Sequence, residues 1–283
     1  MAEKALGSLS DRDRAKLVLE DRWVPYPAGK AIEEELKFTL DHPRGNRPIG
    51  MAIIGHGFNG KSQLLNQFIS KNQIERFNDR LNVRLLNIEA PPTPSIPLLY
   101  TRLLSRIGDP EAENGGGKIK LERLIILLKR LDVELLIVDE IHDVLAGSPS
   151  KQVEFLNTLK DLSNSLKAPV IVSGTSAVEN VVGTSFEVNS RYPIYRLPLW
   201  APDKELAEFL VRLEATLPLK NASEIWKMTE DVCQISGGVI GNIVNIINRA
   251  AYDAIISGEE KITLKALKCC SKKFITPNGF ASN

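Results

Sequence analysis

Short contiguous apolar runs alternate along the chain with longer segments whose apolar residues recur every three or four positions. The runs are Ile49–Ile54, Val83–Ile88, Glu134–Asp139, Ala168–Thr175 and Ile194–Leu197. Unbroken apolar strands are what a parallel sheet covered on both faces demands, because neither face meets water. Between them the spacing predicts helices over Gln63–Ile69, Ile96–Ile107, Lys118–Leu131 and Lys151–Leu166, with a short turn of helix at Ser176–Val182. Upstream, Ser10 serves as N-cap for a first helical stretch through Leu19. A second, Ala28–Leu40, carries Ile32, Leu36 and Leu40 on one face. The connecting Trp23-Val24-Pro25-Tyr26-Pro27 is extended, since each proline disfavours helix in the residue before it. From Trp200 the pattern is helical only: Asp203–Leu217, Ser223–Ile235, Val239–Ser257 and Leu264–Phe274, with Pro198 and Pro202 at the boundary. The expected architecture is α/β, a three-layer α/β/α parallel sheet over residues 46–199. A helical arm over 1–45 precedes it, and a helical lid with a basic tail over 200–283 follows.

Composition narrows this only slightly. At 283 residues the chain is long for one compact domain, which fits a large and a small one. A formal net charge of +1 means that contact with nucleic acid must come from local patches. No apolar run approaches the ~20 residues of a membrane span, and Met1–Ala5 lacks the apolar core of a signal peptide. Three cysteines, Cys269 and Cys270 adjacent, make neither a disulfide framework nor a metal-ligand spacing. The expectation is a soluble protein of a reducing cytoplasm.

The chemistry lies where strands end. Gly55-His56-Gly57-Phe58-Asn59-Gly60-Lys61-Ser62, followed by Gln63, reads G-x-x-x-x-G-K-S between the first strand and a helix. A chance match in a glycine-containing turn would occur in about one chain in a hundred of this length, and the strand–turn–helix context is the one a phosphate-binding P-loop requires. The glycines let backbone N–H groups turn onto phosphate oxygens, aided by the helix N-terminus. Lys61 is placed to reach the β- and γ-phosphates of ATP, and Ser62 to ligate Mg²⁺. About eighty residues later Glu134–Glu140 ends in the two acids Asp139-Glu140. Asp139 stands where a second Mg²⁺-organising carboxylate is needed, and Glu140 is the natural general base for a hydrolytic water. An isolated Asp-Glu pair reads as a solvated turn; at the end of a buried-type strand beyond a P-loop, the catalytic reading prevails. Thr175 or Ser173, closing the next strand, could sense the γ-phosphate or orient the water, or else cap the following turn. The aromatic-and-proline segment before the second helix could close over a nucleotide base or simply pack as an arm.

This order of motifs over about residues 20–275 resembles the AAA+ ATPases. Ser190-Arg191-Tyr192 ahead of the last strand and Leu197-Pro198-Leu199 is similar to the Ser-Arg-Phe element of their initiator-type clade. There the arginine reaches towards a neighbouring subunit's γ-phosphate, which implies that Arg191 is an arginine finger acting in a homo-oligomer, a ring or a helical filament. More closely, the chain resembles the TniB family of transposition ATPases, related to TnsC and Mu B. The residues concerned are Val24-Pro25-Tyr26-Pro27, Asn59-Gly60-Lys61-Ser62, Trp200 and Gly237-Gly238-Val239-Ile240-Gly241-Asn242. That resemblance implies an ATPase that binds double-stranded DNA without reading sequence, selects a target, and activates a separate integrase-like transposase, with a TniQ-type protein as a further partner. It also implies DNA contacts near Arg102, Arg106, Lys118 and Lys120, which lie equally well on solvated helix faces. Lys261, Lys265, Lys268, Lys272 and Lys273 form a second basic cluster. One departure stands out: Gly241-Asn242 lacks the arginine that many AAA+ lids carry at this turn, and Arg249 is two helical turns away, which suggests slow turnover. A helicase or replication loader and a nucleotide-switched adaptor are the competing readings. The loader predicts a dedicated C-terminal DNA-binding domain, for which about ten residues remain after the lid.

Overall fold

The computed structural model describes residues 9–72, 83–179 and 190–273. The end of the expected helical turn at Ser176–Val182 (residues 180–182), Phe274 and the N-terminal Met1–Ala5 lie outside the described residues. The chain forms two compact units, one from residues 31–57 and 61–197, the other from 1–30, 58–60 and 198–283.

The first unit is built on five strands: β1 (Met51–Gly55), β2 (Leu85–Glu89), β3 (Leu135–Asp139), β4 (Val170–Gly174) and β5 (Ile194–Leu197). They lie in the order β2-β3-β4-β1-β5, all parallel. β1 and β4 are buried along their whole length and β3 as far as Val138, which is why these segments are unbroken apolar runs. At the edge, β5 buries only Leu197 fully, and its Tyr195 hydroxyl donates to Glu35 at 2.9 Å. Helix α2 (Pro27–Asp41) enters this unit from residue 31, and α3 (Lys61–Asn72), α4 (Ile96–Arg106), α5 (Gly117–Arg130) and α6 (Pro149–Leu166) complete it. Ser95 caps α4 by accepting from the Leu98 amide, and Pro97 sits in its first turn, where the missing N–H costs nothing. The core joins sheet residues such as Ile54, Val138 and Val172 to Leu103, Leu124, Leu128, Phe155 and Leu159 of the helices. Burying each such side chain stabilises the unit by about 1.5–3 kcal/mol.

Because the strands are parallel, every loop that follows a strand emerges at one edge of the sheet. The glycine loop follows β1, Asp139-Glu140 closes β3, and Thr175 follows β4, which lies between those two strands. The carboxyl edge of an open parallel sheet is where such folds bind ligands. The topology thus gathers the candidate residues that the sequence scatters over 120 positions.

The second unit comprises α1 (Asp11–Leu17), α7 (Lys204–Glu214), α8 (Thr229–Ser236), α9 (Ile240–Ser257) and α10 (Leu264–Lys273). Ser10 does cap α1, accepting from the Asp13 amide, and Asp203 caps α7 through the Leu206 amide. The segment expected as one helix over Ser223–Ile235 is instead a 3₁₀ turn, Ile225–Met228, followed by α8. The cause is local: Glu224 takes a left-handed φ of 54°, and the Glu214 carboxylate accepts from the amides of Glu224 and Ile225, both at 2.9 Å. α1 lies on α9, and Arg22, just beyond the end of α1, donates to Asn248 Oδ1 of α9 at 2.6 Å. Arg14, buried, pairs with the equally buried Glu260 and donates to the Pro218 carbonyl at 2.8 Å. Among the described residues no helix is long and apolar enough to cross a membrane.

Candidate nucleotide site

β1 delivers Gly55 to the sheet edge, and α3 starts at Lys61, so Gly55–Gly60 form the turn between them. His56, Gly57 and Phe58 are exposed, while Asn59 and Lys61 are buried. Phe58 and Gly60 both have positive φ, 64° and 80°. That conformation is natural for Gly60 and costly for Phe58, and strain of this kind concentrates at ligand loops. A Cβ on Gly57 would meet nothing within 4 Å, so the exposed backbone there is open to a ligand.

Lys61 Nζ donates to the Gly55 carbonyl at 3.1 Å and to the His56 carbonyl at 2.9 Å, holding the ammonium inside the loop. Burial lowers its pKa, opposed by the nearby charges of Glu140 and Asp139. Ser62 is partly exposed and Gln63 exposed at the first turn of α3. Asp139 accepts from the Glu140 amide at 2.8 Å, which fixes its carboxylate at the end of β3. Glu140 itself is left-handed, with φ 53° and ψ 37°, another strained residue at the same edge. Partial burial first, then the Asp139 charge, raises the Glu140 pKa. His142 Nδ1 lies 3.0 Å from Glu140 Oε2, a neighbour that the sequence spacing did not suggest. On β4, Ser173 is wholly buried and its hydroxyl has no partner among the described residues, whereas Thr175 is partly exposed just beyond the strand.

The loop apex, Phe58–Gly60, belongs to the helical unit. Asn59 Nδ2 donates to the Pro198 carbonyl at 3.0 Å, and its Oδ1 accepts from the Ile240 amide at 3.3 Å. The Gly241 amide donates to the Phe58 carbonyl at 3.1 Å, and a Cβ on Gly241 would fall 2.5 Å from the Phe58 ring. Only glycine fits there. The Gly237-to-Asn242 turn thus packs the start of α9 against the loop apex, by backbone contact in place of an arginine.

Arg191 is buried at 8% exposure. Its guanidinium donates to the Pro48 carbonyl at 2.6 Å and to Asn164 Oδ1 at 2.9 Å, all within the sheet unit. Action on a neighbouring subunit would require it to release both. The basic residues near α4 and α5 also prove to be largely engaged. Arg102 donates to the Glu89 and Ala90 carbonyls, Arg106 to Asn87, and Lys120 is buried against the Thr101 hydroxyl at 2.7 Å. Lys118 is exposed. In the C-terminal cluster Lys268 pairs with Asp231 at 2.8 Å.

Solved structures share this architecture. Cdc6p from Pyrobaculum aerophilum is 18% identical, with 94% of this chain and 71% of that chain covered at a TM-score of 0.66. The Aeropyrum pernix ORC2 protein, in ADPNP–ADP complexes, is 16% identical over 93% and 73% at 0.66. The Aeropyrum pernix ORC1 protein, in complex with DNA, is 16% identical over 92% and 69% at 0.62. At such identities the likeness is one of fold, the P-loop AAA+ fold. Comparison with curated proteins finds no match. The bacterial TniB protein family matches residues 14–202, from α1 through the sheet to the segment after β5. With two thirds of its length so matched, the chain belongs to the TniB family.

Proposed function

We propose that this chain is an ATP-hydrolysing regulator of DNA transposition. It assembles on double-stranded DNA when ATP is bound and recruits a separate transposase, and hydrolysis ends that state. The single observation that supports this most is the convergence of Lys61, Asp139 and Glu140 at one sheet edge, close enough for both carboxylates to act on the lysine. TniB membership and the resemblance to transposition ATPases support the DNA and transposase parts.

The residues fit ATP and Mg²⁺. The loop offers exposed backbone at Gly57, an ammonium held among carbonyls and the N-terminus of a twelve-residue helix. Among the described residues no group of three His, Cys, Asp or Glu gathers to hold a metal alone. Ser62 and Asp139 are the residues that would hold Mg²⁺ here. When bound, Mg²⁺ neutralises charge between the phosphates. The loop amides and Lys61 hold the phosphoryl oxygens, and Glu140, its basicity increased by burial, accepts a proton from the attacking water. Thr175 or Ser173 orients that water from β4. The lid turn lacks an arginine, which is consistent with a slow cycle. Arg191 is the candidate finger. In its present bonds it anchors Pro48 to α6, so that role demands its release on assembly. Lys118 and the exposed lysines of α10 offer sequence-independent contacts to DNA phosphates.

Sedimentation of the full chain with a random-sequence duplex tests the reading. Wild type should form large DNA-bound assemblies with ATP and release them as ATP is consumed. A chain that binds ATP yet stays monomeric and off DNA at low salt would contradict the DNA part alone. Arg191→Ala should leave monomer affinity for ATP intact while abolishing assembly-stimulated hydrolysis. A fall in melting temperature with unchanged hydrolysis would assign Arg191 to packing only.

A further inference from the structure

The carboxylate of Glu140 stands on a left-handed backbone and is carried out on a long, partly exposed side chain. A proton acceptor of that length loses rate unless a neighbour fixes its direction. His142 is placed to do so. Its Nδ1 lies 3.0 Å from Glu140 Oε2, whereas Nε2 is 3.9 Å from Asp143 Oδ1, beyond hydrogen-bonding distance. Nδ1 is also buried and makes no aligned hydrogen bond among the described residues. The separation from Oε2 is thus right and the direction is not, a mismatch that a small rotation of either side chain removes. Hydrogen bonds of a catalytic base are often poorly aligned in the free enzyme and tighten in the substrate complex.

The backbone beneath His142 is held firmly. It belongs to a 3₁₀ turn, Ile141–Ala146, that starts directly after Glu140, and the Asp143 amide donates to the Glu140 carbonyl at 3.0 Å. The turn lies against the end of β4. A Cβ on Gly174 would fall 2.9 Å from Ile141 Cγ2 and 3.3 Å from the His142 backbone nitrogen. At the far end, Gln152 donates to the Leu145 and Gly147 carbonyls at 3.1 and 2.8 Å. His142 therefore has a fixed base from which to aim a longer side chain.

We propose that His142 is a positioning residue for Glu140: its Nδ1–H donates to Oε2 once ATP is bound, which leaves Oε1 to take the proton of the attacking water. This rests on the reading of Glu140 as general base and adds the group that directs it. A neutral imidazole supplies direction without a full positive charge, so the carboxylate remains a base.

Single-turnover hydrolysis and ATP affinity of the full chain, measured for wild type, His142→Ala and His142→Asn, test this. His142→Ala should slow hydrolysis about 10- to 100-fold and leave ATP affinity at the wild-type value. His142→Asn, whose amide nitrogen can stand where Nδ1 does, should recover most of that loss. In a Glu140→Gln background His142→Ala should cost nothing more, because the histidine acts only through the carboxylate. Hydrolysis by His142→Ala at the wild-type rate would overturn the proposal. So would equal losses in the alanine and asparagine variants, or a further loss in the Glu140→Gln background, since either would assign His142 to the turn alone. The parent reading fails separately: Glu140→Gln hydrolysing at the wild-type rate overturns the base assignment itself. An inactive Glu140→Gln beside a normal His142→Ala removes only the role of His142.

Discussion

At the scale of single residues the site depends on two side chains of opposite charge drawn into a partly dry edge. Lys61 is held by two loop carbonyls, and Glu140 is fixed in a left-handed backbone by the turn that follows β3. Lys61→Ala removes the charge that faces the phosphates and should abolish ATP binding, read by titration calorimetry. Glu140→Gln keeps the shape and removes the base; turnover should fall by about 10²–10⁴-fold with nucleotide affinity retained, read by single-turnover hydrolysis. These residues were legible in the sequence because their motifs are local: eight consecutive positions for the loop, and an acidic pair at a strand end. His142 was not legible as a site neighbour, and the partners of Asn59 were not legible either. Each acquires its role from contacts that the motif spacing does not encode, such as Asn59 with Pro198 and Ile240. Arg191 shows the limit from the other side. Its sequence context implies a residue aimed at a neighbour, yet within the chain it satisfies a carbonyl and an amide.

Elements were readable to the extent that their burial is uniform. The central strands, apolar throughout, stand where their runs predict, and α9 carries an apolar stripe from Ile240 to Ile255. The break in the Ser223–Ile235 segment escaped prediction because its cause, the Glu214 carboxylate, sits on another helix. The turn into α9 is the tightest element of the helical unit. Gly238 has a φ of 68°, and a Cβ there would lie 2.4 Å from the Trp200 carbonyl oxygen, whose own amide donates to the Gly238 carbonyl at 2.8 Å. Gly238→Ala combines an unfavourable backbone region with a clash against main chain that cannot move aside. It should destabilise the protein by about 2 kcal/mol or more, seen as a lower denaturant midpoint. A midpoint within error of wild type would show that this turn relaxes freely.

For the whole molecule, the acid limit of stability is set in part by one buried pair of the helical unit. Arg14 hydrogen-bonds the Glu260 carboxylate and holds it down to about 2 from an ordinary 4.5. A lowered carboxylate contributes its stability fully above the unfolded value and loses it as pH falls towards the folded one. The wild-type melting temperature should therefore decline below about pH 4.5. Glu260→Gln, less stable at neutral pH, should show a shallower decline over the same range. A parallel decline in both would remove Glu260 as the source. The most direct test of the central claim is ATP turnover by the full chain, measured with and without duplex DNA for wild type, Lys61→Ala and Glu140→Gln. Wild type should hydrolyse ATP slowly and faster with DNA, Lys61→Ala not at all and Glu140→Gln at least about a hundredfold more slowly, with ATP-loaded, persistent DNA assemblies for Glu140→Gln alone. Hydrolysis by Glu140→Gln at the wild-type rate, or ATP binding unchanged in Lys61→Ala, would contradict it.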